Sequence, residues 1–86
     1  MTVSLADRIR HYVSDACLVP ARATGLTEIV VTSGDIHRDM GLTNRMPAVC
    51  AALDAGKFAD AYRVVVSRRT GPKFGATAKW YLSIIR

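Results

Sequence analysis

Ile36-His37-Arg38-Asp39-Met40-Gly41-Leu42-Thr43 is the stretch on which the reading of this chain turns. Ile36 and Met40 stand one helical turn apart, and Gly41 follows as a residue able to take the left-handed backbone that closes a helix. Leu42 and Thr43 make the turn. Upstream, Ser33 is a good N-cap and Asp35 puts a carboxylate in the first turn, so a short helix is predicted over about 34–40. Downstream, Asn44 can cap a second helix, Pro47 suits its first turn, and Met46, Val49, Cys50 and Leu53 recur at i, i+3, i+4 and i+7. That helix is predicted over about 45–55, with Gly56 closing it.

The flanks complete the pattern. Ser4 and Asp7 make a capping-box-like start, and Leu5, Ile9, Val13 and Cys17 recur every four residues, so a first helix is predicted over about 5–17. Tyr12 and Ala16 widen its apolar stripe; Arg8, Arg10 and Asp15 lie off it. Pro20 should end this helix, leaving Ala21–Thr27 as a loop, and the β-branched run within Glu28–Thr32 reads as a short strand over about 28–32. Past Gly56 the period becomes two. Tyr62, Val64 and Val66 share one face and Trp80, Leu82 and Ile84 another, which predicts an antiparallel hairpin over about 62–85. Its tip, Arg68-Arg69-Thr70-Gly71-Pro72-Lys73-Phe74-Gly75, is basic and rich in turn residues.

This order of helix, strand, helix, glycine turn, helix and basic hairpin resembles the winged helix-turn-helix superfamily over nearly the whole chain. Gly41 matches the family's turn glycine, and Leu53-Asp54-Ala55-Gly56-Lys57-Phe58 resembles its usual passage from the recognition helix to the wing. His37 departs from the pattern where a small residue is common, as does Pro47 where an apolar residue normally packs. The resemblance implies one α+β domain over residues 1–86: three helices, a short strand before the second, and a C-terminal two-stranded wing. It also implies binding of double-stranded DNA, with the third helix in the major groove.

Charge agrees with such a partner. The 86 residues carry a net +5, yet residues 1–56 hold five basic and six acidic side chains, whereas seven basic residues from Lys57 onward face only Asp60. The polyanion-facing surface is therefore expected in the C-terminal third. On the third helix Arg45 can take guanine O6 and N7, Asn44 can take adenine, and Ala48, Ala51, Ala52 and Ala55 face outward, where methyls can meet a thymine methyl. Asn44 is read first as a cap and Arg45 first as a nucleic-acid contact, and the alanines can serve as plain helix formers. Arg68, Arg69 and Lys73 are placed along the duplex backbone or beside the minor groove, Ser33 and Gly34 can offer N–H groups to a phosphate, and His37 is read as a surface or phosphate-contacting residue.

Other classes find less support. His11, Cys17, His37 and Cys50 lack the spacings of a zinc site, no glycine-rich phosphate loop opens a helix, and no Cys-His pair has an orienting carboxylate, so neither catalysis nor a cofactor is expected. Both cysteines fall on apolar stripes and are expected to pack as reduced thiols. Trp80 and the tyrosines are assigned to packing rather than to base stacking. No apolar run is long enough to span a membrane, no signal-peptide core is present, and a cytoplasmic, nucleoid-associated location is expected. Two other functions use the same residues: a protein-interaction module gripping an acidic partner, and RNA binding, for which paired aromatics and a GXXG loop are missing. Monomer and homodimer both remain open.

Overall fold

Ser4 opens the first helix as its side chain dictates, its Oγ accepting the Asp7 N–H at 3.1 Å and its carbonyl the Arg8 N–H at 3.0 Å. In the computed structural model, which describes residues 3–85, helix α1 covers Leu5–Val13. It does not stop before Pro20. The chain widens into a π turn over Ser14–Leu18, where the Val19 N–H reaches the Ser14 carbonyl, and continues as α2 over Val19–Ala23. Proline has no N–H to give and its ring crowds the carbonyl four residues back; the wider turn relieves that crowding, so the helix passes through the residue expected to end it.

Strand β1 (Glu28–Thr32) leads directly into α3 (Ser33–Asp39), and α4 (Met46–Asp54) follows the glycine turn. A further helix, α5 (Gly56–Tyr62), then precedes β2 (Val64–Thr70) and β3 (Lys79–Ile84). Gly56 thus begins a helix instead of ending one. Phe58 and Tyr62, four residues apart, stack at 5.8 Å on its buried side, and Phe58 is fully buried. A distant residue closes it: Arg22 from α2 donates to the Tyr62 and Arg63 carbonyls at 2.6 and 3.2 Å, while Arg63 takes the left-handed backbone at φ 56°. Tyr62 therefore belongs to a helix end, not to the strand.

The three strands form one antiparallel sheet in the order β1-β3-β2. The C-terminal pair is therefore not a free two-stranded hairpin, because β3 is also paired along its length with β1. Trp80, Leu82 and Ile84 point from β3 into the core, joined by Val31 from β1 and Val64 from β2. From the other side come Ile9, Val13, Leu18, Ile36, Val49, Leu53 and Phe58, so helices cover one face of the sheet and leave the other to solvent. Each such burial contributes about 1.5–3 kcal/mol.

Arg10 stands out among these apolar neighbours. Only 4% of it is exposed: it lies where α1 crosses α4, its guanidinium donating to the Ala52 carbonyl at 3.1 Å and to Asp7 at 2.8 Å. Its position off the apolar stripe had pointed to solvent. The long stem crosses the interface while the planar head ties the first turn of α1 to a carbonyl of α4. No helix among the described residues is long and apolar enough to cross a membrane.

Candidate nucleic-acid interface

The α3–α4 turn is built by backbone hydrogen bonds. The Gly41 N–H reaches the Arg38 carbonyl and the Leu42 N–H reaches the His37 carbonyl, both at 3.0 Å, with Gly41 at φ 67°, the double closure that a C′ glycine makes possible. Asn44 does not cap α4. It takes a left-handed conformation at φ 53°, and Arg45 occupies the N-cap position. Arg45 has no capping hydroxyl of its own; its N–H donates instead to His37 Nε2 at 3.1 Å. His37 is therefore a strut between the two helices, with that ring nitrogen engaged as the acceptor of a backbone N–H. The Arg45 guanidinium is exposed, with no hydrogen bond or ion pair among the described residues.

The outward side of α4 is narrower than its alanines predict. Ala52 is 2% exposed and packs in the core, because the helix buries Val49, Cys50, Ala52 and Leu53 together. Ala48 and Ala55 are half-buried. Pro47, Ala51 and Asp54 are exposed, and the Asp54 carboxylate is engaged, accepting the Trp80 Nε1–H at 2.8 Å and the Arg69 guanidinium at 3.2 and 3.3 Å. Trp80 thus lies in the core, as its strand position implied, with its one polar atom satisfied.

Between Val66 and Arg68 the register of β2 against β3 slips by one, with Ser67 as the extra residue. The bulge reverses the facing of everything after it. Arg69 pairs with Trp80 and turns to the core side, its guanidinium 4.7 Å over the indole, bonded to Asp54 and to the carbonyls of Thr70, Gly71, Pro72 and Lys73 at 2.9–3.2 Å. Every edge of that guanidinium is committed within the protein, so Arg69 is the clamp of the tip and not a phosphate ligand. Arg68 turns the other way, resting 5.2 Å over the Tyr81 ring on the solvent face of the sheet.

The tip itself is docked. The Ser33 N–H donates to Ala78, the Gly34 N–H to Ala76, and Ser33 Oγ to the Gly75 carbonyl at 2.6 Å, with Cys50 Sγ 3.8 Å from the same carbonyl. Ser33 is fully buried, and Thr32 stands at the N-cap position of α3 in its place. The amides at the start of α3, expected to be available to phosphate, are used to hold residues 75–78. The tip runs alongside α4, from Asp54 in its last turn to Cys50 one turn earlier, and presents Lys73 and Phe74 to solvent.

Of the sequence-selected residues, Arg45, Arg68 and Lys73 are therefore exposed, Arg68 and Lys73 lying over the Tyr81 and Phe74 rings, Asn44 is exposed in the turn, Ala48 is half-buried, and Ser33, His37, Ala52 and Arg69 serve the scaffold. Lys79, which the selection omitted, joins the exposed group from the first position of β3; strand alternation opposite Trp80 was the signal that could have found it. Arg10, Arg22, Arg38 and Arg69 are bonded to carboxylates or carbonyls, whereas the side chains of Arg8, Arg45, Arg63, Arg68, Lys73 and Lys79 make no hydrogen bond or ion pair among the described residues. Burial pushes the Cys50 thiol upward in pKa, and Cys17 likewise with Asp39 adding to it, so both stay protonated near neutrality. Among the described residues no three His, Cys, Asp or Glu side chains come together as a metal site. Comparisons with family models, with curated proteins and with solved structures found no match.

Proposed function

We propose that the chain is a winged helix-turn-helix domain that binds double-stranded DNA inside the cell, as a small regulator of transcription or of another DNA transaction. The element order, the β1-β3-β2 sheet and the glycine-closed turn between α3 and α4 support the fold assignment. One observation carries the function: Arg45 at the entry to α4, and Arg68, Lys73 and Lys79 on the β2–β3 hairpin, are exposed cations without a carboxylate partner among the described residues. The nearby Asp54 is occupied by Arg69 and Trp80. Cations left unpaired by the fold are free to take phosphate.

The roles divide by reach. Arg45 stands in the exposed turn where α4 begins and is the long donor able to reach guanine O6 and N7, with Ala51 offering a methyl one and a half turns on. The hairpin cations neutralise backbone charge and set orientation. Because α4 itself presents alanine, proline and an engaged aspartate, phosphate contact supplies most of the affinity.

Titration of random duplex DNA across a salt series tests this reading. Three phosphate contacts, from Arg68, Lys73 and Lys79, give a log–log slope of about −2.7, at −0.9 per contact. Binding that ignores salt, or no binding at low salt by folded protein, would overturn it.

A further inference from the structure

The sheet has two open edges, and they are not alike. β2 is broken by the bulge at Ser67 and carries arginines, both of which discourage pairing with another strand. β1 has neither device: Glu28–Thr32 pairs with β3 without interruption. The Ile84 N–H bonds to the Thr27 carbonyl at 2.8 Å, and this fixes the phase of the ladder. Thr27, Ile29 and Val31 face their polar backbone groups to β3; Glu28 and Val30 turn N–H and C=O outward, and Thr32 its N–H. Among the described residues no side chain or loop group bonds to these, and Val30 is 49% exposed.

A groove of about 180 Å³ follows this edge, with Tyr12 and Cys17 on its helix wall and Asp35 and Asp39 from α3 along its rim. Glu28 stands apart from this rim, its carboxylate accepting the Ser67 Oγ–H at 3.4 Å across β3 from the open edge, so the acidic charge there is that of the two aspartates. Arg38 lies 3.4 Å from Asp35 and 3.1 Å from Asp39 and offsets only part of this charge.

We infer that the β1 edge is the docking site for an extended basic segment of a partner protein, which adds to the sheet as a fourth strand with lysines or arginines against Asp35 and Asp39. Charge selects this occupant. A second copy paired through β1 would oppose two sets of the same carboxylates, and a phosphate backbone would be repelled. The backbone groups give affinity without sequence, and the acidic rim gives preference.

The probe is an end-blocked decapeptide of alternating lysine and valine, added to the full ¹⁵N-labelled chain. Binding should slow amide exchange at Glu28, Val30 and Thr32 at least tenfold and shift signals of β1 and α3. A glutamate–valine counterpart should not bind. N-methylation of one alternate set of peptide amides should abolish the effect and of the other set preserve it, and D35N with D39N should weaken binding at least tenfold in a chain of unchanged spectrum. Failure to protect the three amides, equal binding of the acidic peptide, or indifference to both methylated sets would overturn the proposal. Protection of the same amides in the free protein, with sedimentation at twice the chain mass, would make the occupant a second copy and overturn it too. Duplex binding is scored separately, so failure here leaves the DNA reading standing.

Discussion

At Arg69 one guanidinium holds Asp54, the Trp80 ring and the carbonyls of Thr70, Gly71, Pro72 and Lys73. Lysine has the charge but not the planar fork, so Arg69→Lys should lose about 1–2 kcal/mol in denaturant unfolding, a fall of roughly 4–15 °C in Tm for a domain of this size. Arg68→Ala should stay within about 0.5 kcal/mol of the parent while losing DNA affinity. Equal stability of the two variants would show that the clamp is idle. Asp7 gives a second test, through pH. The Arg10 guanidinium first, and the Ser4 hydroxyl after it, hold its carboxyl below the ordinary 3.8. As pH falls the unfolded chain is protonated before the folded one, so this stabilisation is complete above 3.8 and disappears as pH drops through the lowered folded value. Asp7→Asn should therefore be less stable than the parent at neutral pH and should lose less stability in acid. Parallel urea midpoints from pH 6 to 2 would exclude a role for the pair.

Between elements, the tightest approach is that of α3 to the hairpin tip. A Cβ on Gly34 would lie 2.7 Å from the Ala76 carbonyl oxygen, so Gly34→Ala should cost about 1–3 kcal/mol and free residues 75–78, read as faster amide exchange at Ala78. Gly41 has open space around it and φ 67°, so Gly41→Ala should cost about 1–2 kcal/mol through backbone strain alone and leave exchange at Ala78 unchanged. Such contrasts show what the sequence could convey. Periodicity located α1, β1, α3, α4 and the inward faces of β2 and β3, because each buries a regular stripe against the one core. Pro20 and Gly56 misled, since local propensity gave way to tertiary packing: a π turn accommodated the proline, and the burial of Phe58 with the Arg22 cap outweighed the glycine. At the interface, a single bulged residue, Ser67, decided which of two adjacent arginines faced solvent. Nothing in residues 64–70 announces that slip, because the pattern Val-Val-Val-Ser-Arg-Arg-Thr alternates acceptably in either register.

For the whole molecule, the proposed DNA face joins two parts with separable duties. Arg45 leads α4, the helix assigned to the major groove, while Arg68, Lys73 and Lys79 lie on the hairpin suited to backbone charge. Arg69 is excluded from the second group, since its removal would unfasten the tip and confuse lost contact with lost structure. A binding site selected from random duplexes supplies the specific ligand. Arg45→Ala should then narrow the gap between selected and random DNA by about 1–3 kcal/mol, the worth of one bidentate base contact. The triple alanine variant at Arg68, Lys73 and Lys79 should weaken selected and random DNA alike and shallow the salt slope by about 2.7 if all three touch phosphate. Because Arg45 sits at the N-cap and its own backbone N–H is held by His37, its guanidinium can be removed without unpinning the turn. His37→Ala should do the reverse, keeping the charge but loosening its placement, and should therefore cut discrimination while leaving the salt slope within about one contact of the parent. If the triple variant loses discrimination and Arg45→Ala keeps it, the hairpin reads the sequence and α4 serves only as its support.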